Sequence, residues 1–485
     1  MQINKSTPYT ALLLLLFGCI LCMISLPNHY NFRTFAFDLG MFNHALYDFS
    51  HFRHNIFTLD LNQQQSYFAD HFAPISILLS PLQFLFGSYT PLLIQCGMIV
   101  LGAYYAYAYA RLQGLSLLQS RLILIQFFLF WPIIHAVSFD FHTNVLAAMW
   151  AIPILYYYEK KQHYKSFIFA LLILISKENM GLWLGFFWMG YGLLHKMAPK
   201  KFLIRFLIPG IICILYTVIT VKYIMPAFNS TDVNYQLSRY THWGETPTDI
   251  IANFRSNPML FIELFINLDS SGKTIEFGPK VLVWIMLIFS GGFFAFRRPQ
   301  YFLMMLPILA QKFLSGNELI QGIGLHYNIE FVPILSFIWI NESRNWHNKS
   351  RFLLFGILMA ASLCAISVGI QKSNPFLYRL MAFYQKDHYS SDFENLPEMK
   401  SFLKEIDPTI PLSVSSELAP HLALRPKIYH FPRIADAQMV VLVTEHSNYY
   451  PLYSKELFLQ EIEKIEQMGF VKKKEIPNLV LYVKE

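Results

Sequence analysis

The sequence predicts an all-α polytopic membrane bundle of about eleven transmembrane helices, followed by a small C-terminal α/β domain. The first observation is composition: apolar residues make up 54% of the 485 residues and charged residues only 14%. Soluble domains average about 25% charged residues, and so few charges cannot cover a water-soluble surface. The mean hydropathy, +0.37, agrees. The second observation is a series of apolar runs, and the third is the basic residues between them. Soluble, disordered and coiled-coil classes are therefore excluded, and the net charge of +7 does not indicate nucleic-acid binding.

The apolar runs occupy the first 371 residues. The candidate spans are Ala11 to Leu26 and residues 90–110, 120–136, 144–158, 166–176, 180–195, 202–224, 281–296, 300–314, 329–341 and 352–371. Several are shorter than the roughly 20 residues that cross a bilayer as a helix. Pro27 and Asn28 follow the first run instead of a small-residue cleavage site, which favours an uncleaved span over a signal peptide.

Basic residues set the predicted orientation, because cytoplasmic loops are rich in Lys and Arg. With the N-terminus inside, every inner loop is basic. The residues are Arg111, Arg121, Lys160, Lys161, Lys165, Lys196, Lys200, Lys201, Arg205, Arg297, Arg298, Arg344, Lys349 and Arg351. An odd number of spans then places the C-terminal domain outside. We predict a multi-pass protein of the cytoplasmic (inner) membrane, with the C-terminal domain in the periplasm if the cell has two membranes.

The domain prediction is a transmembrane domain over residues 1–371, with outer loops at about 28–89 and 225–280, and a soluble domain over residues 372–485. In the first loop, Pro74 to Phe86 is predicted to be an interfacial or re-entrant helix. The C-terminal domain has a predicted amphipathic helix at Leu457 to Met468. Its predicted strands are Pro411–Ser415, Lys427–Phe431, Met439–Val443 and Leu479–Val483.

Asp38 is the first candidate functional residue, within Phe37-Asp38-Leu39-Gly40 just after the first span. An ionisable residue next to a membrane is costly and indicates function. Its position suits a general base or a metal ligand acting on a lipid-phosphate substrate. The alternative is an N-cap of the following apolar-periodic helix, and the two are compatible.

Two acid–histidine pairs lie in separate outer loops. Asp70 and His71 follow later in the first loop, and His can shuttle protons or bind phosphate or metal. Asp140 and His142 lie two residues apart in the next outer turn, so an extended chain would point them the same way. They could hold a divalent metal with Asp38 or polarise an acceptor hydroxyl. The alternative is helix capping beside interfacial aromatic residues.

Further candidates could contact a phosphate group. Lys177-Glu178 interrupts two apolar halves, and the pair is either a self-contained ion pair or a phosphate-binding lysine held by its neighbour. Arg239-Tyr240 and His326-Tyr327 lie at predicted outer mouths and could contact a pyrophosphate. Walker A, dinucleotide GxGxxG, HExxH and GxSxG motifs are absent from the sequence. If the protein is an enzyme, we expect an activated lipid-linked donor to supply the energy.

The order and placement of these motifs resemble the GT-C class of integral-membrane glycosyltransferases. The chain resembles more closely the uncharacterised prokaryotic membrane family known as domain of unknown function 2079. The matching stretches are Phe37-Asp38-Leu39-Gly40 with Phe42, Asp70-His71-Phe72-Ala73-Pro74, Phe139-Asp140-Phe141-His142, Lys177-Glu178, His326-Tyr327, and Val414 to Leu422 with Arg425, Tyr429 and Pro432.

This resemblance implies transfer of a sugar from a polyprenyl-phosphate carrier to an extracytoplasmic acceptor, which is a glycan, lipid or protein. It implies Asp38 as the base, with Asp140 and His142 as a second site for acceptor or metal. Lys177, Arg239 and His326 would neutralise the leaving phosphate. Some GT-C members need a divalent cation such as Mg²⁺ or Mn²⁺ and others do not, so the cofactor stays open.

A second class of function is also open: a non-catalytic transporter, flippase or lipid-binding accessory protein of the cell envelope. Transporters often contain inverted repeats and polar breaks at mid-membrane depth. The sequence has no evident repeat, and its polar residues cluster at the outer mouths. This pattern favours the enzyme.

Overall fold

A computed structural model describes residues 7–61, 65–229, 239–263, 265–268, 275–276, 278–444 and 449–485, and the described chain is mostly helical. The helices of seven or more described residues are α1 (Thr7–Tyr30), α2 (Met41–Ser50), α3 (Thr90–Leu112), α4 (Leu117–Leu129), α5 (Trp131–Ser138), α6 (Thr143–Met149), α7 (Ala151–Glu159), α8 (His163–Leu174), α9 (Met180–Leu193), α10 (Ile208–Ile219), α11 (Pro247–Ser256), α12 (Pro279–Phe289), α13 (Pro299–Phe313), α14 (Phe331–Ser343), α15 (Lys349–Ile370), α16 (Pro375–Met381), α17 (Leu396–Lys404) and α18 (Lys455–Gln467).

Each of the eleven predicted spans coincides with helix, but the predicted count of eleven membrane crossings is not confirmed. Four helical segments in the described chain are long and apolar enough to cross a membrane: Pro8–Tyr30, Ile75–Leu112, Pro199–Ala227 and Lys349–Ser373. A fifth is possible if α4 and α5, which meet at a 47° bend, form one span. The bend has a local cause, because Pro132 lacks the N–H that would continue α4. Several other helices, such as α8, α12 and α14, are only 10–17 residues long.

The segment Pro199–Ala227 shows why this surface belongs in lipid. Only 11% of its most apolar stretch is buried within the protein. Its outward side chains, including Ile204, Ile212 and Leu215, are about half exposed. Such a continuous apolar face is unstable in water and is typical of contact with a membrane.

The predicted interfacial segment Pro74 to Phe86 forms short helical turns, Ile75–Leu79 and Gln83–Phe86, joined by a 3-10 turn. Leu78, Phe84 and Leu85 are each more than 60% exposed. The chain runs on into α3 after a turn at Gly87, whose φ of +56° is a conformation that glycine adopts readily.

Two short strands between α11 and α12, β1 (Asn267–Leu268) and β2 (Ile275–Glu276), pair with each other. The strands of the C-terminal domain are β3 (Leu412–Val414), β4 (Ile428–His430), β5 (Met439–Val443), β6 (Phe470–Ile476) and β7 (Leu479–Lys484). They form one sheet in the order β4-β3-β5-β7-β6. β3 is parallel to β4 and β5, whereas β7 is antiparallel to β5 and β6. The four predicted strands and the helix are present. β6 was missed because it is a highly charged edge strand, Phe470-Val-Lys-Lys-Lys-Glu-Ile476, which lacks an apolar alternation.

The first outer loop and the C-terminal domain share one hydrophobic core. Ala36, Leu39 and Phe42 from the loop cluster with Val414 and Ala419 from the domain. The opposite face of the sheet packs on α18 in a separate core. The domain therefore lies directly against the loop that carries Asp38.

Polar contacts fix this packing. Asn43 Nδ2 donates to the Pro420 carbonyl at 3.0 Å, and the Ala36 N–H donates to Ser416 Oγ at 3.3 Å. The rings of His29 and His421 stack with centroids 4.0 Å apart.

The predicted domain boundary at residues 371/372 stays a prediction. The predicted second outer loop falls partly on residues 230–238, 264, 269–274 and 277, which lie outside the described residues.

Candidate functional site

Asp38 lies in a tight turn, Ala36–Gly40, between α1 and α2. Its φ of +72° and ψ of −96° place it in a conformation that L-residues rarely adopt. Backbone strain of this kind costs about 1–3 kcal/mol and is concentrated at functional sites. Gly40, the residue before α2, has a helical backbone and makes no side-chain cap, so the alternative in which Asp38 caps this helix stays a prediction. The turn presents a partly buried carboxylate next to a second acid.

That second acid is Asp140, between α5 and α6, at a φ of +42°. Its Oδ2 accepts a hydrogen bond from the Leu39 N–H at 3.3 Å, so the Asp140 side chain holds the backbone immediately after Asp38. Asp140 is only 3% exposed. Burial, followed by the nearby charge of Asp38, raises the pKa of Asp140 well above its usual range. Asp38 is therefore the first of the two acids to ionise.

Gln95 of α3 fixes the turn that carries Asp140 and His142. Its Nε2 donates to the Asp140 carbonyl at 3.0 Å and to the Ala136 carbonyl at 3.1 Å. Its Oε1 accepts from the His142 N–H at 3.0 Å. This fully buried amide satisfies three backbone groups of an otherwise irregular turn, which would be costly to bury unpaired.

His71 bridges the first loop to the turn between α8 and α9. Its Nδ1 lies 3.3 Å from Glu178 Oε1, and its Nε2 lies 3.7 Å from Asp70 Oδ2. The predicted pairing of Glu178 with Lys177 is wrong, since Glu178 turns towards the first loop. Burial raises the pKa of Glu178, but the charges of His71 and Lys177 and the hydrogen bond from His71 outweigh it and leave that pKa below its usual value.

His142 stacks on His326, with ring centroids 3.4 Å apart. Both rings are about 95% buried. Burial is the main cause that lowers the pKa of each well below its usual range, and the positive charge of Lys177 acts in the same direction. Two stacked, buried imidazoles are therefore neutral at physiological pH. They can exchange hydrogen bonds with a ligand, and the role that the resemblance implied for His326 at the leaving phosphate stays a prediction.

A cavity of about 520 Å³ lies beside these residues, between α9, α10 and α13. Leu182, Trp183, Val218 and Leu314 contribute to its apolar wall. Its polar lining is Lys177, Glu178, Asn179, Thr217, Lys222, Arg239, Tyr240, Gln311, Tyr327 and Glu330. Its volume is in the usual range of ligand sites, about 300–1,000 Å³.

The cavity and Asp38 belong to one electrostatic site. Burial raises the pKa of Asp38 to about 6, while the positive charges of His71, Lys177 and Arg239 oppose the rise. Lys177 and Arg239 also line the cavity. Among the residues that the structure describes, the Lys177 ammonium has no hydrogen-bond or ion-pair partner. A base that is ionised at neutral pH therefore lies within reach of two cavity-lining cations.

Sequence reasoning missed three polar residues of this region. Asn144 Nδ2 donates to Glu330 Oε1 at 2.8 Å, and Lys312 Nζ donates to the carbonyls of Ile320 and Gly322 at 2.6 and 2.7 Å. All three are at least 94% buried. Lys312 and Glu330 lie within or beside apolar helical runs, where an ionisable residue indicates a functional region. That signal could have identified them.

The predicted metal set of Asp38, Asp140 and His142 does not form a ligand cluster. Within the described ranges, no three His, Cys, Asp or Glu side chains are arranged to hold a metal ion. His142 turns its ring towards His326, while Asp140 accepts from Leu39. Whether activity depends on Mg²⁺ or Mn²⁺ stays open, and titration of the protein with these cations would test it.

Comparison with known families gives an assignment for most of the chain. Residues 28–452 match the family described as "Predicted membrane protein (DUF2079)". The chain belongs to this family. The matched range includes the acids, the cavity and most of the C-terminal domain. No curated protein matches the chain at a significant level.

Solved structures give the fold of this DUF2079 protein. ArnT from Cupriavidus metallidurans bound to undecaprenyl phosphate is similar over 96% of this chain and 97% of its own, with 12% identity and a TM-score of 0.51. The apo state of the same protein is similar over 99% and 98% of the two chains, with 12% identity and a TM-score of 0.50. The Archaeoglobus fulgidus oligosaccharyltransferase aligns over 87% of this chain and 63% of its own, with 11% identity and a TM-score of 0.42. ArnT is a GT-C glycosyltransferase, so its similarity to this chain gives the chain a GT-C-like membrane fold, with a small C-terminal sheet domain.

Proposed function

We propose that this DUF2079 protein is a membrane glycosyltransferase that moves a sugar from a polyprenyl-phosphate donor to an extracytoplasmic acceptor. The observation that carries the proposal is the relation between Asp38 and the cavity. A carboxylate with a pKa of about 6 lies within electrostatic reach of Lys177 and Arg239, which line a large, mostly apolar cavity. A general base is most effective when its pKa lies near the working pH.

In the proposed reaction, Asp38 accepts the proton of an acceptor hydroxyl as its oxygen attacks the anomeric carbon of the sugar. The bond between that carbon and the phosphate oxygen breaks, and the polyprenyl phosphate leaves with the electron pair. The phosphate gains one negative charge in this step. Lys177 and Arg239 stabilise that growing charge, and charge stabilisation in the transition state is often the largest catalytic contribution.

The lining of the cavity supports a lipid-linked donor. Its lining combines charged residues such as Lys177 and Arg239 with apolar side chains such as Leu182, Val218 and Leu314. A phosphate attached to an isoprenoid chain likewise combines a charged head with an apolar tail. The similar fold of ArnT, solved with undecaprenyl phosphate bound, supports the same ligand class here.

Asp140, His71 and Glu178 have supporting roles in the proposal. Asp140 positions the backbone after Asp38, and His71 and Glu178 join the first outer loop to the Lys177 turn. The C-terminal domain packs on the same loop and would cap the site from the outer side of the inner membrane.

Binding of polyprenyl phosphate tests the lipid half of the proposal. We expect a structure in nanodiscs with decaprenyl phosphate to place its phosphate between Lys177 and Arg239 and its chain along the cavity wall. K177M should weaken binding more than L314A. Binding elsewhere, or equal affinity of K177M and wild type, would overturn the lipid site.

Turnover separates the enzyme from the transporter, flippase or accessory alternative. We expect D38N to bind decaprenyl phosphate as wild type does and to lose sugar transfer. If the wild type binds the lipid and moves it across the membrane without sugar transfer, the alternative function replaces the enzyme.

A further inference from the structure

A small, polar extension of the cavity is not used by the proposed proton transfer. It is lined by residues that include Asn144, Lys177, Lys312, His326 and Glu330, and its volume is about 10 Å³. It shares Lys177, Gln311, Tyr327 and Glu330 with the large cavity, so the two spaces adjoin. We call this extension the tip pocket. A space of roughly 10–15 Å³ accommodates a single water-sized oxygen.

Among the described residues, three side-chain atoms of the tip-pocket lining lack hydrogen-bond partners: Asn144 Oδ1, His326 Nδ1 and Asn179 Oδ1. The Asn144 and His326 side chains are only 4% and 5% exposed, whereas Asn179 is half-buried. The orientation of the Asn144 amide follows from its neighbours, because the His326 carbonyl can only accept and Nδ2 lies 3.4 Å from it, while Nδ2 also lies 2.8 Å from Glu330 Oε1. The amide oxygen is therefore the group left over. A buried polar atom without a partner costs about 1–3 kcal/mol, so a ligand that pairs with it is favoured.

The chemistry of the two buried atoms selects the ligand group. Asn144 Oδ1 only accepts hydrogen bonds, whereas His326 Nδ1 donates or accepts according to its tautomer. A hydroxyl donates and accepts through one atom and can satisfy both. A phosphate oxygen cannot donate to Asn144. An ammonium group could donate to both atoms, but Lys177 and Lys312 line the same pocket and their charges disfavour a further cation. The positions are adjacent, since Asn144 Nδ2 also lies 3.4 Å from the His326 carbonyl oxygen.

Other contacts keep this space available for a neutral group. The Lys312 ammonium is engaged by the Ile320 and Gly322 carbonyls, and the Asn179 amide donates to Gln311 Oε1 at 2.9 Å. Stacking of His326 on His142 holds its ring in place. The Lys177 side chain lines both spaces, so a phosphate bound there would hold its attached sugar next to the tip pocket.

We propose that the tip pocket is a sugar-hydroxyl subsite: it binds one hydroxyl of the donor sugar through Asn144 and His326 and thereby selects the sugar. The inference rests on the proposed function and adds its specificity determinant. The sugar ring lies in the large cavity, and only one oxygen enters the tip pocket.

Equilibrium binding to the full-length protein in nanodiscs tests the subsite without requiring turnover. The probes are decaprenyl phosphate and its glucosyl, mannosyl, galactosyl and arabinosyl derivatives. We expect one of the glycosylated lipids to bind about 10- to 100-fold more tightly than decaprenyl phosphate, the range given by one buried hydrogen-bonded group. Monodeoxy versions of that lipid are then compared, and we expect a single position to lose this gain.

Two substitutions and one control test whether the gain in affinity depends on the tip pocket. N144S shortens the acceptor, and H326F keeps the ring stack but removes both ring nitrogens. Each should reduce the difference between the hydroxyl-bearing lipid and its deoxy version to less than about threefold, while both variants still bind decaprenyl phosphate. V218A, on the wall of the large cavity, should preserve the full difference.

The subsite is overturned if no glycosylated lipid binds more tightly than decaprenyl phosphate, or if every deoxy version binds equally well. It is also overturned if N144S and H326F leave the discrimination intact, because the tip pocket then holds only a structural water. These outcomes differ from failure of the proposed function, which is decided by absence of transfer in a protein that binds the lipid.

Discussion

The side chain of Asp140 accepts a hydrogen bond from the backbone N–H of Leu39, with 3.3 Å between Oδ2 and nitrogen. The bond crosses from the α5–α6 turn to the residue that follows Asp38. Both Asp38 and Asp140 have positive φ angles, 72° and 42°, so two strained turns support each other. We interpret Asp140 as the residue that positions the base.

Substitution of Asp140 tests that positioning role. Asn keeps an acceptor oxygen and tolerates a positive φ, so D140N should retain most of the transfer rate. Gly also tolerates the backbone conformation but removes the acceptor, and D140G should lower kcat about 10- to 100-fold through misplacement of Asp38. KM for the lipid donor should change little in both variants. Steady-state kinetics of the pair check this, and equal loss in D140N and D140G would contradict it.

The pH dependence of transfer follows from Asp38. Burial raises its pKa to about 6, and the base must be ionised to accept a proton, so kcat/KM should fall as the pH drops below about 6. The Lys177 charge lowers that pKa, so K177M should move the acid limb to higher pH. Lys222 lines the same cavity but is not among the charges that act on Asp38, which makes K222M the matched control. If the acid limb of the pH profile shifts equally in K177M and K222M, Asp38 is not the group whose ionisation produces it.

The ion pair between His71 and Glu178 should contribute to stability. The pKa of Glu178 is lowered in the fold, so its contribution is present above its unfolded pKa and is lost as the pH falls through the folded pKa. A double-mutant cycle with H71Q and E178Q should give a coupling free energy of about 2 kcal/mol at pH 7. The Tm difference between wild type and E178Q should shrink at pH 4, and a constant difference would show that the charge of Glu178 is not involved.

The orientation of the protein in the membrane can be tested by cysteine labelling. Lys473 is exposed on β6 in the C-terminal domain, and Lys200 precedes α10 in a predicted inner loop. A membrane-impermeant maleimide should label K473C in spheroplasts and label K200C only after the membrane is permeabilised. The opposite pattern would place the proposed site on the cytoplasmic side.

Periodicity and charge identified the helical body and the sheet domain, because apolar runs and basic loops are local properties of the sequence. The number of membrane crossings did not follow in the same way. The helical run bends near Pro132, between α4 and α5, and helices such as α8 and α14 are too short to be assigned as spans by length and composition. β6 escaped detection because an edge strand with three consecutive lysines has no buried face to reveal it.

The candidate site was predictable in its ionisable residues but not in its pairings. Asp38, Asp140 and Lys177 stood out because charge is costly beside a membrane. Their partners depend on which loops converge, so Glu178 was assigned to Lys177 whereas the fold gives it to His71. Gln95 and Asn144 were missed as contacts because neutral amides in apolar helices carry no signal before the fold is known.

Sugar transfer by purified D38N protein tests whether Asp38 is the catalytic base. The assay uses nanodiscs, the radiolabelled polyprenyl-phosphate sugar that binds the wild type best, and envelope membranes from cells that lack the protein as the acceptor. D38N should fold, since it removes a carboxylate whose ionisation is disfavoured by burial, and its Tm at pH 7 should not fall below that of wild type. We expect transfer by the wild type and a loss of roughly 10²- to 10⁴-fold in D38N. Wild-type rates in a folded D38N protein would contradict it.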